Sequence, residues 1–304
     1  MKRYIIALFL GLATSPVVAQ QTASLPFLQA NPDLRSSAMG DAVLAHGRGM
    51  SLYTEPYSLL SSNTKLEANY ALSLRPVEDY GSSAFQTLSL GYQIARGHAI
   101  MAGFRSMSGP RVPFASQTGE LGYIRPQDYS LDLGYAVALS PRLQGSVRLS
   151  YLNSYVGTEA DAVAGSIALS WRDNFSSWGY SLTASLNNFG TKLQYKPSVD
   201  KVQLPTDVRL AAGVDFALAE EHDLSLGVGL SRVFMSETNT LGLGVGYRWR
   251  NALHLRAGFV HEEYNNYLTC GVGYDFSKLS LDLSYRHSKN KDMSWIGAGL
   301  GFRL

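Results

Sequence analysis

The sequence predicts an all-β fold, a transmembrane antiparallel β-barrel of about 14 strands behind a short N-terminal plug segment containing a short helix. Three observations carry the prediction. From Asp128 to Leu304, segments of about ten residues alternate apolar with small or polar side chains, and such a length crosses a bilayer when tilted. The connections between segments alternate tight and long. The chain also opens on what reads as a secretory leader.

The last segment shows the alternation most plainly. In Ser294–Leu304, Ile296, Ala298, Leu300, Phe302 and Leu304 share one face, and Trp295, Gly297, Gly299, Gly301 and Arg303 the other. Strand side chains change face at every residue, so one side is greasy and the other small or polar. Candidate strands fall at 66–74, 85–94, 98–106, 128–139, 142–152, 162–172, 178–187, 207–217, 222–232, 239–249, 252–261, 266–276, 279–287 and 294–304. Tight links are expected at Ala95-Arg96-Gly97, Ser140-Pro141, Asp173–Ser177, Ala219–Glu221, Arg250-Asn251 and Ser277-Lys278. Longer ones are expected at 75–84, 107–127, 153–161, 188–206, 233–238, 262–265 and 288–293. Outer-membrane barrels pair short periplasmic turns with longer extracellular loops, which places both barrel ends in the periplasm.

The two faces can be written out. Lipid-facing sets include Leu131, Leu133, Tyr135 and Val137; Leu224, Leu226, Val228 and Leu230; Leu241, Leu243, Val245, Tyr247 and Trp249; and Leu253, Leu255, Ala257 and Phe259. Aromatic residues gather at strand ends, where amphipathic rings favour the membrane interface; Tyr92, Tyr151, Trp171, Trp249, Tyr274 and Phe276 are examples. The opposite faces carry Asp132, Arg148, Arg172, Arg209, Asp215, Arg248, Arg256, Asp275, Asp282, Arg286 and Arg303 among Gly and Ser. Such charges on the lipid face would cost about 2–4 kcal/mol each at the bilayer midplane. A soluble β-sandwich or periplasmic barrel is the alternative.

Residues 1–19 read as a signal peptide: Lys2 and Arg3, an apolar run over Tyr4–Ala13, Pro16, then Val17-Val18-Ala19. Cys270 is the only cysteine, which excludes an intramolecular disulfide. Only 16% of residues are charged and the net charge is +2, a composition that predicts no nucleic-acid partner.

Residues 20–63 do not alternate and form the expected plug segment, with the barrel at 64–304. Asn31 followed by Pro32 looks like a helix N-cap and first helical position, and Gly40 like the stop. Leu25, Phe27, Leu28 and Met39 call for burial, which favours a plug folded into the lumen over a periplasmic tail.

This segment carries a family resemblance. Phe27 to Ala42, with Asn31, Pro32, Asp33, Arg35, Met39, Gly40 and Asp41 at its motif positions, resembles the N-terminal signature of the PorV/PorQ family of Bacteroidetes outer-membrane proteins. That signature is Pro-Asp-Ala-Arg, small residues, then Met-Gly-Asp-Ala. Leu186-Asn187-Asn188-Phe189-Gly190, Tyr195, Leu204-Pro205 and Arg209–Val214 are similar to the family's central stretch, and Leu253–Phe259 to its Leu-Arg-Ala-Gly-Tyr strand. The chain departs from the family at Thr54-Glu55-Pro56-Tyr57, which keeps only the proline of Asn-Pro-Ala, and in being short. The resemblance implies a fourteen-stranded barrel of the kind found in FadL-like transporters. It also implies a role in type IX secretion, with attachment-complex proteins or the C-terminal domains of exported cargo as partners. A FadL-like passive transporter of hydrophobic molecules is the other reading.

No catalytic or metal set emerges, and no cofactor or enzymatic activity is expected. The six histidines are dispersed without metal-site spacing. Gly242-x-Gly244-x-Gly246 and Gly297-x-Gly299-x-Gly301 keep strict period two, which places them on one strand face rather than in a phosphate loop; small residues there let a plug or neighbouring wall approach. Partner binding is sought in the long loops, which offer Arg111, Phe114, Tyr123 and Arg125 in one, and Phe189, Tyr195 and Lys196 in the other. Loops that pack on themselves over the barrel mouth are the alternative.

Overall fold

A computed structural model describes residues 25–42, 49–54, 56, 59–60, 64–77, 81–115, 121–196, 201–263, 265–289 and 293–304. The leader, Glu55 and Tyr57 lie outside the described residues. After a 3₁₀ turn at Pro26–Leu28 comes a single-turn helix, α1 (Leu34–Ser37); Leu59 and Leu60 are again helical, and the strands follow. They are β1 (Leu66–Val77), β2 (Gly81–Ala95), β3 (His98–Ser108), β4 (Val112–Ala115), β5 (Leu121–Ile124), β6 (Gln127–Ala138), β7 (Leu143–Tyr155) and β8 (Glu159–Asn174). There follow β9 (Trp178–Gly190), β10 (Asp207–Ala219), β11 (His222–Val233), β12 (Asn239–Trp249), β13 (Leu253–Glu262), β14 (Asn266–Phe276), β15 (Leu279–Ser288) and β16 (Trp295–Arg303).

Every barrel strand pairs antiparallel with its neighbours in sequence, β3 pairs with β6, and β1 closes the circle on β16 from Glu67↔Arg303 to Leu74↔Ile296. β4 and β5 stand apart as a hairpin in the long connection after β3, a pairing the alternation did not foretell. Closure leaves no edge strand, so the backbone amides and carbonyls of the wall are satisfied without water, as lipid requires. Each barrel strand, from the nine residues of β16 to the sixteen of β8, is long enough to cross.

The expected strands hold within a few residues, and most extend further at the loop end. That extension shortens several connections counted as long: β1 runs to Val77 before β2 starts at Gly81, and β7 to Tyr155 before β8 starts at Glu159. The asymmetry of the two ends rests on 109–126 and 191–206.

The faces segregate as expected. Leu133 is 65% exposed on the outside while its neighbour Asp132 is 1% exposed in the lumen. Tyr92, Trp171, Trp249, Tyr274 and Phe276 ring the turn end of the exterior, and Tyr151, Tyr155 and Tyr285 lie nearer the loop end.

The described parts of the N-terminal segment lie in the lumen, Leu25–Leu28 towards the loop end and Leu52, Leu59 and Leu60 towards the turn end. At the top, Leu25, Phe27 and Leu28 pack with Phe85, Leu152 and the row Ala160, Ala162, Ala164. Lower down, Leu52, Leu59 and Leu60 meet Ala99, Met101 and Ala136. Full burial of one such side chain is worth about 1.5–3 kcal/mol, so these contacts hold a short segment that has little secondary structure of its own.

Candidate functional site

The plug motif is a compact knot built on α1. Asp33, not Asn31, caps the helix: its backbone is extended and its carboxylate accepts the Ser36 amide at 3.3 Å. Asn31 does other work. Its Oδ1 accepts the Asp33 amide at 3.0 Å, and its Nδ2 donates to Ser36 Oγ at 2.9 Å and to Asp41 Oδ1 at 2.8 Å, closing the two ends of the knot on each other. Pro32 therefore precedes the cap rather than following it. The helix leaves at Ala38, and the chain reverses two residues later through Gly40 (φ 68°) and Asp41 (φ 61°). Burial pushes the Asp33 carboxyl above the usual carboxylate range, with the Arg35 guanidinium pulling the other way.

Charge latches the knot to the wall. Arg35 Nε donates to Asp282 Oδ2 at 2.8 Å and its Nη2 to Asp275 Oδ1 at 3.1 Å. Arg256 and His254 hold the other oxygens of the same two carboxylates, at 2.9 Å and 3.2 Å. On the far side of the knot Arg286 donates to Asp41. Thr269 Oγ1 accepts the Gly40 amide at 3.0 Å and donates to the Ala38 carbonyl at 3.1 Å. Arg35 and Asp41 of the plug each meet an opposite charge on the wall, which is what removal of ion pairs from water demands.

Glycines make this approach possible. A Cβ on Gly244 would sit 2.7 Å from Met39 Cβ, one on Gly271 2.6 Å from Ala38 Cβ, and one on Gly297 2.6 Å from Leu34 Cδ2. A Cβ on Gly242 would strike the Gly40 carbonyl, and one on Gly40 itself would lie 2.7 Å from the Phe259 carbonyl. Gly242, Gly244 and Gly246 of β12 with Gly297 and Gly299 of β16 are thus the bed on which the knot lies. Phe27, Leu28, Leu34 and Met39 are all buried and serve as plug packing.

A second contact region forms further along the plug, where Asp132, expected in the lumen, meets Tyr53 and Arg105, which the sequence reading did not single out. Tyr53 Oη donates to Asp132 Oδ2 at 2.7 Å, Arg105 binds both oxygens of that carboxylate at 3.1 Å and 3.0 Å, and the Tyr53 ring lies 4.9 Å below the Arg105 guanidinium. Glu67 accepts the amide and hydroxyl of Ser51 at 3.0 Å and 2.9 Å. Period-two placement on a lumenal face was the available signal for Arg105 and Glu67; nothing local marked Tyr53 or Ser51.

The two long loops behave differently. Residues 109–115 and 121–126 carry the β4–β5 pair, with Tyr123 70% exposed and Arg111 exposed; Phe114 lies in β4 opposite Gly122. Arg125 is turned to its own base, donating to the Gly109 carbonyl at 3.2 Å and Ser108 Oγ at 3.3 Å. Residues 191–196 and 201–206 instead fold inward, and Leu193 and Leu204 join the cluster around Phe27. Tyr195 Oη donates to Ser154 at 2.7 Å, the Lys196 carbonyl accepts from Thr158, and Phe189 packs over Gly165. Asn187 and Asn188 form a bulge in β9, Asn188 at φ 56°, and both amides reach Asp207.

A closed fourteen-stranded barrel with an apolar exterior and a latched lumenal plug defines an integral outer-membrane barrel protein. The chain belongs to the PorV family: the family described as "Type IX secretion system protein PorV" matches residues 17–240. No curated protein sequence matches. Among solved structures, the CymD monoaromatic hydrocarbon channel is similar at TM-score 0.60 and 12% identity, with 93% of this chain and 98% of that one covered. The toluene transporter TodX of Pseudomonas putida is similar at TM-score 0.55 and 14% identity, covering 88% and 96%. At such identities the likeness is one of fold. Family and fold are those of outer-membrane barrels, and among the described residues no cluster of metal-binding side chains forms.

Proposed function

We propose that this barrel acts in type IX secretion by binding proteins at its loop end, with both chain ends of the barrel in the periplasm. The observation that supports it, beside family membership, is the division of labour between the loops. The 191–206 loop and the plug stopper the mouth, while the β4–β5 hairpin projects Arg111 and Tyr123, residue types enriched in interface hot spots. The partners this suggests are attachment-complex proteins or the C-terminal domains of exported cargo.

A passive pathway for hydrophobic molecules is the second reading, favoured by the likeness of fold to hydrocarbon channels. The lumen argues against it. An apolar cavity of about 150 Å³ can take up benzene, but a cavity of about that volume here mixes Met39, Phe175 and Trp178 with the charged Arg35, Asp215, Asp223, Arg248 and Arg256. Such walls hold water more readily than hydrocarbon.

A tag in the 288–293 loop, mild detergent extraction and mass spectrometry test the proposal. Recovery of secretion or attachment proteins, reduced by Tyr123→Ala through a loss of about 2 kcal/mol or roughly thirtyfold in Kd, supports it. A barrel recovered alone with bound lipid would overturn it in favour of transport.

A further inference from the structure

The lumenal charges are not all paired. Between the plug and the wall of β7 to β10 lies a cavity of about 90 Å³, to which Arg105, Arg148, Arg209, Asp41 and Asp207 all contribute. Arg105 is neutralised by Asp132, and Asp41 by Arg286. Arg148 has no carboxylate within ion-pair distance among the described residues, Asp132 and Asp207 acting on it only from further off. One of its terminal nitrogens donates to the Leu52 carbonyl at 3.3 Å and the other to Ser166 Oγ at 3.0 Å, its Nε is buried without a partner, and the guanidinium lies 5.3 Å from the Tyr53 ring centroid. Arg209 makes no hydrogen bond or ion pair among the described residues. Asp207 is the remaining anion, and its oxygens are taken by the amides of Asn187 at 3.0 Å and Asn188 at 3.4 Å. Among the described residues the cavity therefore keeps one positive charge more than is neutralised.

The strand register shows why the two guanidiniums face one space. Arg148 stands opposite Ser166, and Arg209 opposite Ser185, which is opposite Ala168, which is opposite Ser146. The floor between the two arginines is thus built of small side chains, over which two long ones can lean towards each other. Ser166 Oγ accepts hydrogen bonds from Arg148 and from the Asn188 amide, which leaves its own proton to donate into the cavity. Guanidinium forks and a hydroxyl are the donor set that suits an oxyanion, and a buried unneutralised guanidinium is costly enough to draw one in. The volume is several times the roughly 10–15 Å³ that one water requires, hence room for a single tetrahedral anion.

We propose that this cavity is a binding site for one small oxyanion of the phosphate class, held by Arg148 and Arg209 and pinning the plug residues Leu52 and Tyr53 to the wall through Arg148. The site is independent of what binds at the loop end.

The test uses the purified full chain in detergent, with inorganic phosphate titrated against chloride at constant ionic strength. Thermal unfolding is followed by the mobility of the heated barrel in gels. Phosphate should raise the midpoint saturably, by about 5 °C when in roughly hundredfold excess over Kd. Arg209→Gln, which breaks no bond within the protein, should start from the wild-type midpoint and show no phosphate shift. Arg142→Gln, at an exposed pair with Asp173, should respond as wild type. Phosphorus NMR of the wild-type protein gives a second readout, line broadening of free phosphate that Arg209→Gln abolishes. A wild-type protein that neither shifts nor broadens with phosphate overturns the proposal, as does an Arg209→Gln variant that responds fully.

Discussion

Arg35→Met should release the knot from the wall while the barrel stays folded. Arg35 gives up two charge-assisted hydrogen bonds, 2.8 Å to Asp282 and 3.1 Å to Asp275, each worth about 1.5–3 kcal/mol. Removing one partner from a buried ion pair costs about 3–5 kcal/mol, because the other charge is left behind. Here neither carboxylate is orphaned: Asp282 keeps Arg256 at 2.9 Å and Asp275 keeps His254 at 3.2 Å. Methionine also retains the apolar stem. Both facts place the loss at the lower end, about 3 kcal/mol, or roughly a hundredfold in the docking equilibrium. Hydrogen exchange reads this directly, since the amides of Ala38, Gly40 and Asp41 are tied to Leu34, Thr269 and Ser36 only while the knot is formed and seated. Their exchange should accelerate about a hundredfold with that of the strand amides unchanged. Combining Arg35→Met with Asp282→Asn should cost less than the sum of the two single changes, the signature of a direct pair. Exchange within threefold of wild type, or additive costs, would refute the latch.

Three further outcomes follow from the same geometry. Gly244→Val drives a branched side chain into Met39, costs at least the 1–3 kcal/mol or so of an overpacked core, and should turn a closed barrel into a conducting one in planar bilayers. Leu133→Arg puts a charge on the lipid face and should lower stability in bilayers by about 2–4 kcal/mol, read as a lower urea midpoint for the folded barrel. Asp33 has a folded pKa above its ordinary 3.8, so its contribution to stability is full below that pH and is lost as pH rises through the folded value. Knot amides should accordingly exchange more slowly near about pH 4 than near about pH 7 once intrinsic rates are divided out, and Asp33→Asn, which still caps α1, should flatten that difference.

The wall was legible because its rule is local. A strand residue faces lipid or lumen according to parity alone, and lipid tolerates neither charges nor unpaired backbone, so Leu131 to Val137 or Ile296 to Leu304 declare their faces without reference to any other part of the chain. The same parity marked the glycines of β12 and β16 as a bed for something close, and the apolar residues around Phe27 as something to be buried.

Parity says nothing about what lies across the lumen. That Arg35 meets Asp275 and Asp282, 240 and 247 residues away, depends on where closure of the barrel puts β14 and β15 relative to the plug. The helix cap went to Asp33 because the Asn31 side chain was claimed by Ser36 and Asp41. Of two long loops rich in aromatic and basic residues, one became a projecting hairpin and the other a stopper, since only the latter carries Leu193 and Leu204 to a hydrophobic cluster waiting at the mouth. Sequence by itself determined the barrel, its faces and the presence of a plug; the tertiary structure decided the pairing of the lumenal charges and the fate of the loops, because those depend on distances between residues that only closure brings together.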